Sequence, residues 1–297
     1  MVMESMMRAA MAEGYGLGYF EAWDGYSLEA VLEAAEEECS PVILGFGCMM
    51  ADTAWLDEGG VELLGAMGSA VARRARVPVC LLLNEAQTLD QAVRGIDAGF
   101  NAVMLDTSAW PREEAVGAVR HLVRVAHERG VTVEAELGRL PDATAHGIDT
   151  SGSQLTDPAD AAQFMAATGA DCLAVSIGNV HLLTAHEAAV DGARLEAIHR
   201  QVPAPLVIHG GTSFPPGAVP HAIANGVAKF NVGTILKKRF LGGVLAAVGD
   251  FGDAVNVHAV LGSHKETDFL VAGKRAMKDK VKELMRLYGS SGKSTEA

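Results

Sequence analysis

Two histidines stand at the ends of apolar runs: His181 after Gly178-Asn179-Val180, and His209 before Gly210-Gly211-Thr212-Ser213. Carboxylates occupy matching places: Glu85 after Leu81–Leu83, Asp106 after Ala102–Leu105, and Glu134 and Glu136 inside Thr132–Leu137. The two glutamates of that last run alternate with apolar residues, so an extended chain turns both to one side. Imidazoles beside carboxylates are the donor set of a divalent metal site, and a charged group at a buried strand end needs a partner or a cation. A second chemistry comes from Pro205–Ser213 and Lys229–Thr234. Gly210, Gly211, Thr212 and Ser213, with Asn231, Val232, Gly233 and Thr234, make two turns rich in N–H groups and hydroxyls, which can hold a phosphate. The pattern implies a small phosphorylated or otherwise anionic substrate, handled beside a metal or a proton-transfer histidine. Plainer roles compete residue by residue. Asp106 reads equally as a helix N-cap, with Ser108 as its rival. His121, His127, His146, His186, His199, His221, His258 and His264 fall in helical or loop contexts and are expected at the surface.

The elements that must position these residues are legible as apolar runs. Strands are expected at Gly16–Phe20, Pro41–Phe46, Val77–Asn84, Ala102–Asp106, Thr132–Leu137, Cys172–Ile177, Pro205–Gly210 and Lys229–Thr234. Most are apolar on both faces, as parallel strands under helices are. Helices such as Ser27–Glu38, Leu89–Ala98, Arg112–Arg129, Asp157–Thr168 and Pro216–Asn225 alternate with them. Thr156-Asp157-Pro158 reads as a cap before a first-turn proline, Thr88 with Gln91 as a capping box, and Gly99, Gly130, Gly169 and Gly226 as helix stops. Eight β-then-α units predict a (β/α)8 barrel with its chemistry at the C-terminal strand ends; a doubly wound open sheet is the alternative. One domain is expected, since roughly 250 residues make one such barrel. Residues 139–155, with Pro141, Gly147 and Gly152, read as a lid. Residues 265–288 read as a basic amphipathic helix, either solvated or docked on an acidic neighbouring subunit.

Composition narrows the partners. A net charge of −13 over 297 residues argues against nucleic acid and anionic membranes. Cys39, Cys48, Cys80 and Cys172 lack metal or redox spacing, and the last two fall inside strands, as inert thiols in a reducing compartment would. Met1–Ala12 has no apolar core suited to a signal peptide, and no run of about 18 apolar residues could span a membrane. A cytoplasmic enzyme is the expectation.

The motifs also carry a family likeness over nearly the whole chain. Ser40-Pro-Val-Ile43, Ala98-Gly-Phe-Asn-Ala-Val-Met-Leu-Asp106, Val133-Glu-Ala-Glu-Leu-Gly138, Leu173-Ala-Val-Ser-Ile-Gly178, His209-Gly-Gly211 and Val227-Ala-Lys-Phe-Asn-Val-Gly-Thr234 occur in the order seen in class II, metal-dependent ketose-bisphosphate aldolases. The chain resembles that family. The resemblance implies a zinc ion that polarises a ketose-phosphate carbonyl, with His181 and His209 matching two of its three histidine ligands. It also implies that Gly210, Gly211, Ser213 and Asn231–Thr234 cradle the phosphate, that Asp106 and Glu136 stand near an alternative metal position, and that the protein is a homo-oligomer, a dimer or tetramer.

The third strand departs from the family pattern. Where the family has His-x-Asp-His, this chain reads Leu82-Leu83-Asn84-Glu85, so the third zinc histidine is Glu85 and the catalytic aspartate is Asn84. An amide orients a hydroxyl but does not transfer protons near neutral pH. Glu21 stands where the family has asparagine, Leu182 where it has glycine, and the lid has no clear acidic match. Three functions fit these differences. The first is an aldolase with zinc, manganese or iron on Glu85, His181 and His209, and proton transfer by Glu136, Glu21, Asp142 or Asp149. The second is a related enolisation or isomerisation. The third is a non-catalytic binder of a phosphorylated ligand.

Overall fold

The computed structural model describes residues 3–144, 147–184, 186–249 and 255–294; the expectation for His146 lies outside them. Its strands are β1 (Leu17–Glu21), β2 (Val42–Gly47), β3 (Val79–Ala86), β4 (Ala102–Leu105), β5 (Thr132–Leu137), β6 (Asp142–Thr144), β7 (Gly147–Asp149), β8 (Cys172–Val175), β9 (Leu206–Ile208) and β10 (Val227–Val232). All but β6 and β7 close a parallel barrel in the order β1-β10-β9-β8-β5-β4-β3-β2. This is the (β/α)8 barrel that the alternating apolar runs predict, with strand ends shifted by at most two residues.

The helices are α1 (Met3–Glu13), α2 (Gly25–Glu37), α3 (Thr53–Trp55), α4 (Val61–Ala72), α5 (Leu89–Asp97), α6 (Arg112–His127), α7 (Pro158–Thr168), α8 (Gly192–Gln201), α9 (Val219–Ala224), α10 (Thr234–Val248), α11 (Val257–Val260) and α12 (Phe269–Tyr288). Local chemistry sets several of their ends. Asp157 caps α7 by accepting from the Ala159 and Asp160 N–H groups, with Pro158 in the first turn. Thr88 caps α5, but the Gln91 side chain accepts from the Gln87 N–H, so only half of the expected capping box forms. Neither Asp106 nor Ser108 caps α6. That helix starts after Pro111, and Asp106 instead accepts from the Ser108 N–H in a tight loop.

Alternation along the strands divides the apolar side chains into two cores. Phe20, Leu44, Leu81, Leu83 and Val103 pack outward beneath the helices. Leu17, Tyr19, Ile43, Leu82, Cys172 and Val207 fill the barrel interior, and α1 plugs one end of it with Met3, Met6 and Met7. Cys80 and Cys172 are buried in this interior, as their strand positions predict.

The basic face of α12 departs from both expected settings. Lys274, Lys278 and Lys282 lie 2.6–3.1 Å from carboxylates of Glu29, Glu33 and Glu37 on the same chain's α2. Arg286 meets Glu38 at 2.6 Å. Residues 139–155 also hold more structure than a plain loop: β6 and β7 form an antiparallel hairpin.

Candidate active site

Glu85 reaches the barrel mouth through a break in the pleat. Leu82 and Leu83 pair with Ala102 and Val103, but the next β3–β4 pairing is Ala86 with Leu105, so Asn84 and Glu85 bulge. Regular alternation would send Asn84 inward and Glu85 outward. Glu85 instead takes a left-handed φ of 55°, and both side chains line one cavity. Bulges re-aim side chains in this way near active sites.

His209 follows β9, and the next residue, Gly210, turns at φ 67°, where an added Cβ would lie 2.3 Å from the Val180 carbonyl oxygen. Asn179 ties the neighbouring turn down: its amide donates to the Val175 and His209 carbonyls and accepts from the Ile177 N–H. The hairpin stem clamps His181, whose N–H donates to the Pro141 carbonyl while its own carbonyl accepts from the Ala143 N–H.

These turns bring Glu85, His181 and His209 together, with one donor atom from each within 4.8 Å of the others. Nε2 of His209 hydrogen-bonds Glu134 Oε1 at 2.9 Å. Its Nδ1 lies 3.0 Å from Glu136 Oε2 and 3.2 Å from Glu85 Oε1, without the direction of a hydrogen bond to either. Nε2 of His181 is likewise buried and, among the described residues, unpartnered, 4.0 Å from Glu85 Oε1, while Nδ1 lies 3.4 Å from Asp142 Oδ1 on β6. Burial opposes charge on His209, but Glu134, Glu136 and Glu85 outweigh it and hold the imidazole well above its usual range. Burial also works against ionised Glu134, and Lys229 with His209 reverses that, keeping the carboxyl below its usual value.

Lys229 is a buried charged residue beside the cluster that strand patterning alone did not single out. Its side chain is fully buried, with Nζ 2.8 Å from Glu134 Oε2 and 2.5 Å from Asn231 Oδ1. A continuous polar path therefore runs Asn231–Lys229–Glu134–His209. The available signal was a lysine inside an otherwise apolar strand, since a buried ammonium requires carboxylate or amide partners.

The cavity at the mouth, about 70 Å³, is lined by Glu85, His181 and His209 and by Gly210, Thr212, Asn231, Val232, Gly233 and Thr234. Gly211 and Ser213 face a separate cavity beside Phe214 and Tyr288, and Ser213 Oγ donates to the Val180 and Gly210 carbonyls. Glu21 leans over the cradle: an added Cβ on Gly233 would lie 1.9 Å from its Oε2, and Lys237 Nζ holds Oε1 at 2.6 Å. A second cavity of 220 Å³ shares Met49, Glu85 and His181 with the first and adds Asp106, Glu136, Arg139 and Asp142. Asp149 lines neither; it is exposed and accepts from the Ser151 N–H.

The mouth of this parallel (β/α)8 barrel thus sets a histidine–carboxylate cluster beside glycine-rich turns. The family model for class II fructose-bisphosphate aldolases matches residues 1–293, and the chain belongs to that family. It is 35% identical to fructose-bisphosphate aldolase of Thermus caldophilus over 97% of this chain and 98% of that one. It is 32% identical to sulfofructosephosphate aldolase of Alkalicoccus urumqiensis over 98% and 97%. The crystal structure of the YdjI aldolase from Escherichia coli K12 superposes with a TM-score of 0.78 at 28% identity, covering 99% of both chains. Among the described residues, no helix is long and apolar enough to cross a membrane.

Proposed function

We propose that the chain is a metal-dependent aldolase acting reversibly on a phosphorylated ketose or a related phosphorylated carbonyl compound, with Glu85, His181 and His209 holding the divalent ion. One observation carries this reading. His209 commits one ring nitrogen to the Glu134–Lys229 pair and leaves the other unpartnered, and His181 adds a second unpartnered nitrogen beside the same Glu85 oxygen. A carboxylate behind a histidine fixes its tautomer and aims the free nitrogen at a metal. Two nitrogens and a carboxylate suit Zn²⁺, with Mn²⁺ or Fe²⁺ also accommodated. A divalent ion held there supplies Lewis acidity toward a substrate carbonyl oxygen.

The chain's own groups divide the remaining work. Turns around Gly210, Thr212 and Gly233 receive the phosphate, and Asn84 orients a substrate hydroxyl without taking its proton. We assign the transfer of a substrate proton to Glu136, which lines the second cavity together with Asp142 of the hairpin stem. That cavity sets four carboxylates against one arginine, Arg139, which disfavours a second phosphate. We assign it to an uncharged, hydroxylated aldehyde. The Thermus and Alkalicoccus relatives carry different substrates in their names, so family membership leaves this half open.

Elemental analysis tests the reading. The purified protein should carry about one divalent metal per chain, as an open three-ligand site does. His209→Ala should abolish binding and Glu85→Ala should weaken it. Protein that stays metal-free after loading with zinc, manganese and iron would remove the proposal. With metal bound, kcat/KM for a ketose 1-phosphate should exceed that for the 1,6-bisphosphate by roughly tenfold or more, since like-charge contacts cost several kcal/mol. Equal values would reassign the second cavity.

A further inference from the structure

Tyr19 belongs to no part of the site as assigned above. It lies on β1, in register with Asn231 of β10 and Ile43 of β2, and is 2% exposed. The ring packs in the barrel interior, 5.2 Å from Lys229 Nζ, and forms part of the floor of the mouth cavity. Among the described residues, its hydroxyl has no hydrogen-bond partner. Buried tyrosine hydroxyls ordinarily find one, and an orphaned buried donor costs stability that phenylalanine would avoid. The packing asks only for a ring. The hydroxyl needs another explanation.

Its neighbours point to one. Among the described residues, five that line this single cavity carry an unpartnered buried polar atom: Tyr19 Oη, Asn84 Oδ1, Asn231 Nδ2, His181 Nε2 and His209 Nδ1. The two imidazole nitrogens belong to the proposed metal site. Lys229 occupies Asn231 Oδ1, which leaves the amide N–H₂ as a free donor. The remaining set is two donors in register on adjacent strands, Tyr19 and Asn231, and one acceptor, Asn84.

We infer that the Tyr19 hydroxyl is a substrate-binding donor which, with Asn231 Nδ2 and Asn84 Oδ1, recognises an acceptor oxygen next to a hydroxyl, the pattern of an α-hydroxycarbonyl compound. The inference rests on the aldolase reading and names a contact that reading does not contain. Burial, with Glu21 and Glu85 nearby, pushes the phenol well above its usual value.

Tyr19→Phe in the metal-loaded protein tests it, with dihydroxyacetone phosphate as probe. Calorimetry measures affinity, and NMR in deuterated water measures exchange of the carbon-bound protons. The variant should bind the probe about 10- to 100-fold more weakly, the range for losing a hydrogen bond to a charged or strongly polarised group, and its exchange should slow in parallel. Its Tm should equal or exceed that of the wild type, because an unsatisfied hydroxyl is gone. A lower Tm with unchanged affinity would make Tyr19 structural and overturn the inference. If the wild type responds and the variant responds equally, the Tyr19 assignment falls alone. A wild type that neither binds nor exchanges the probe overturns the aldolase reading, and this inference with it.

Discussion

Lys229 shows how one side chain can support both the fold and the site. It offsets Glu134, which in turn holds His209, and it fixes the amide orientation of Asn231. Taking one partner out of a fully buried ion pair leaves the other uncompensated, at a cost of about 3–5 kcal/mol. Lys229→Met should therefore lose that much stability in urea denaturation, and a Glu134→Gln/Lys229→Met double variant should recover part of it. A loss below about 1 kcal/mol would show that water or His209 already compensates Glu134. Glu85 carries the complementary lesson. Its identity was legible in the sequence, but its direction follows from one bulge and one left-handed φ, which no periodicity encodes.

Among the elements, α12 and α2 form the most heavily charged contact. The Lys278 and Lys282 hydrogen bonds hold Glu37 below its usual carboxylate value, and Arg286 does the same for Glu38. At Glu33 burial works the other way but is outweighed by Lys274 and Lys278. Carboxylates depressed in the folded state stabilise it above the usual value of 4.5, and that contribution is lost as pH falls through their folded values. Lys274 and Lys278 are raised above 10.5, burial notwithstanding, so their contribution is present below 10.5 and fades as pH rises further. Stability measured by urea unfolding should thus fall below about pH 4.5 and above about pH 10.5 through this contact. High salt at neutral pH should weaken it, since these pairs lie near the surface. An acid limb unchanged by Lys278→Met would place the acid sensitivity elsewhere. The sequence showed the basic face but not the chain segment facing it, because α2 and α12 are more than two hundred residues apart and only barrel closure makes them neighbours.

For the whole molecule, closure at the end away from the site depends on α1. Met3, Met6 and Met7 pack in the same interior cluster as Leu17, Ile43 and Leu82, which continues up to Tyr19 at the floor of the cavity. Met7 is fully buried, so Met7→Ala should cost about 2–5 kcal/mol in chemical denaturation. Metal binding should be retained wherever the variant remains folded, since Met7 touches none of the proposed ligands. Loss of metal from a still-folded variant would mean that the plug reaches the mouth.

The amino-acid order by itself determined the barrel, because eight apolar runs alternating with amphipathic segments leave few other ways to bury both faces of a parallel sheet. It also determined which donors stand at the strand ends, and that position 84 lacks an acid. Tertiary structure decided what those donors do: which imidazole nitrogens remain free, that Glu85 turns inward, that Lys229 links the cradle to His209, and that Glu21 leans over Gly233. The reason is range. Side-chain alternation is set by neighbours two residues away, whereas hydrogen-bond partners and cavity walls come from strands brought together only when the sheet closes.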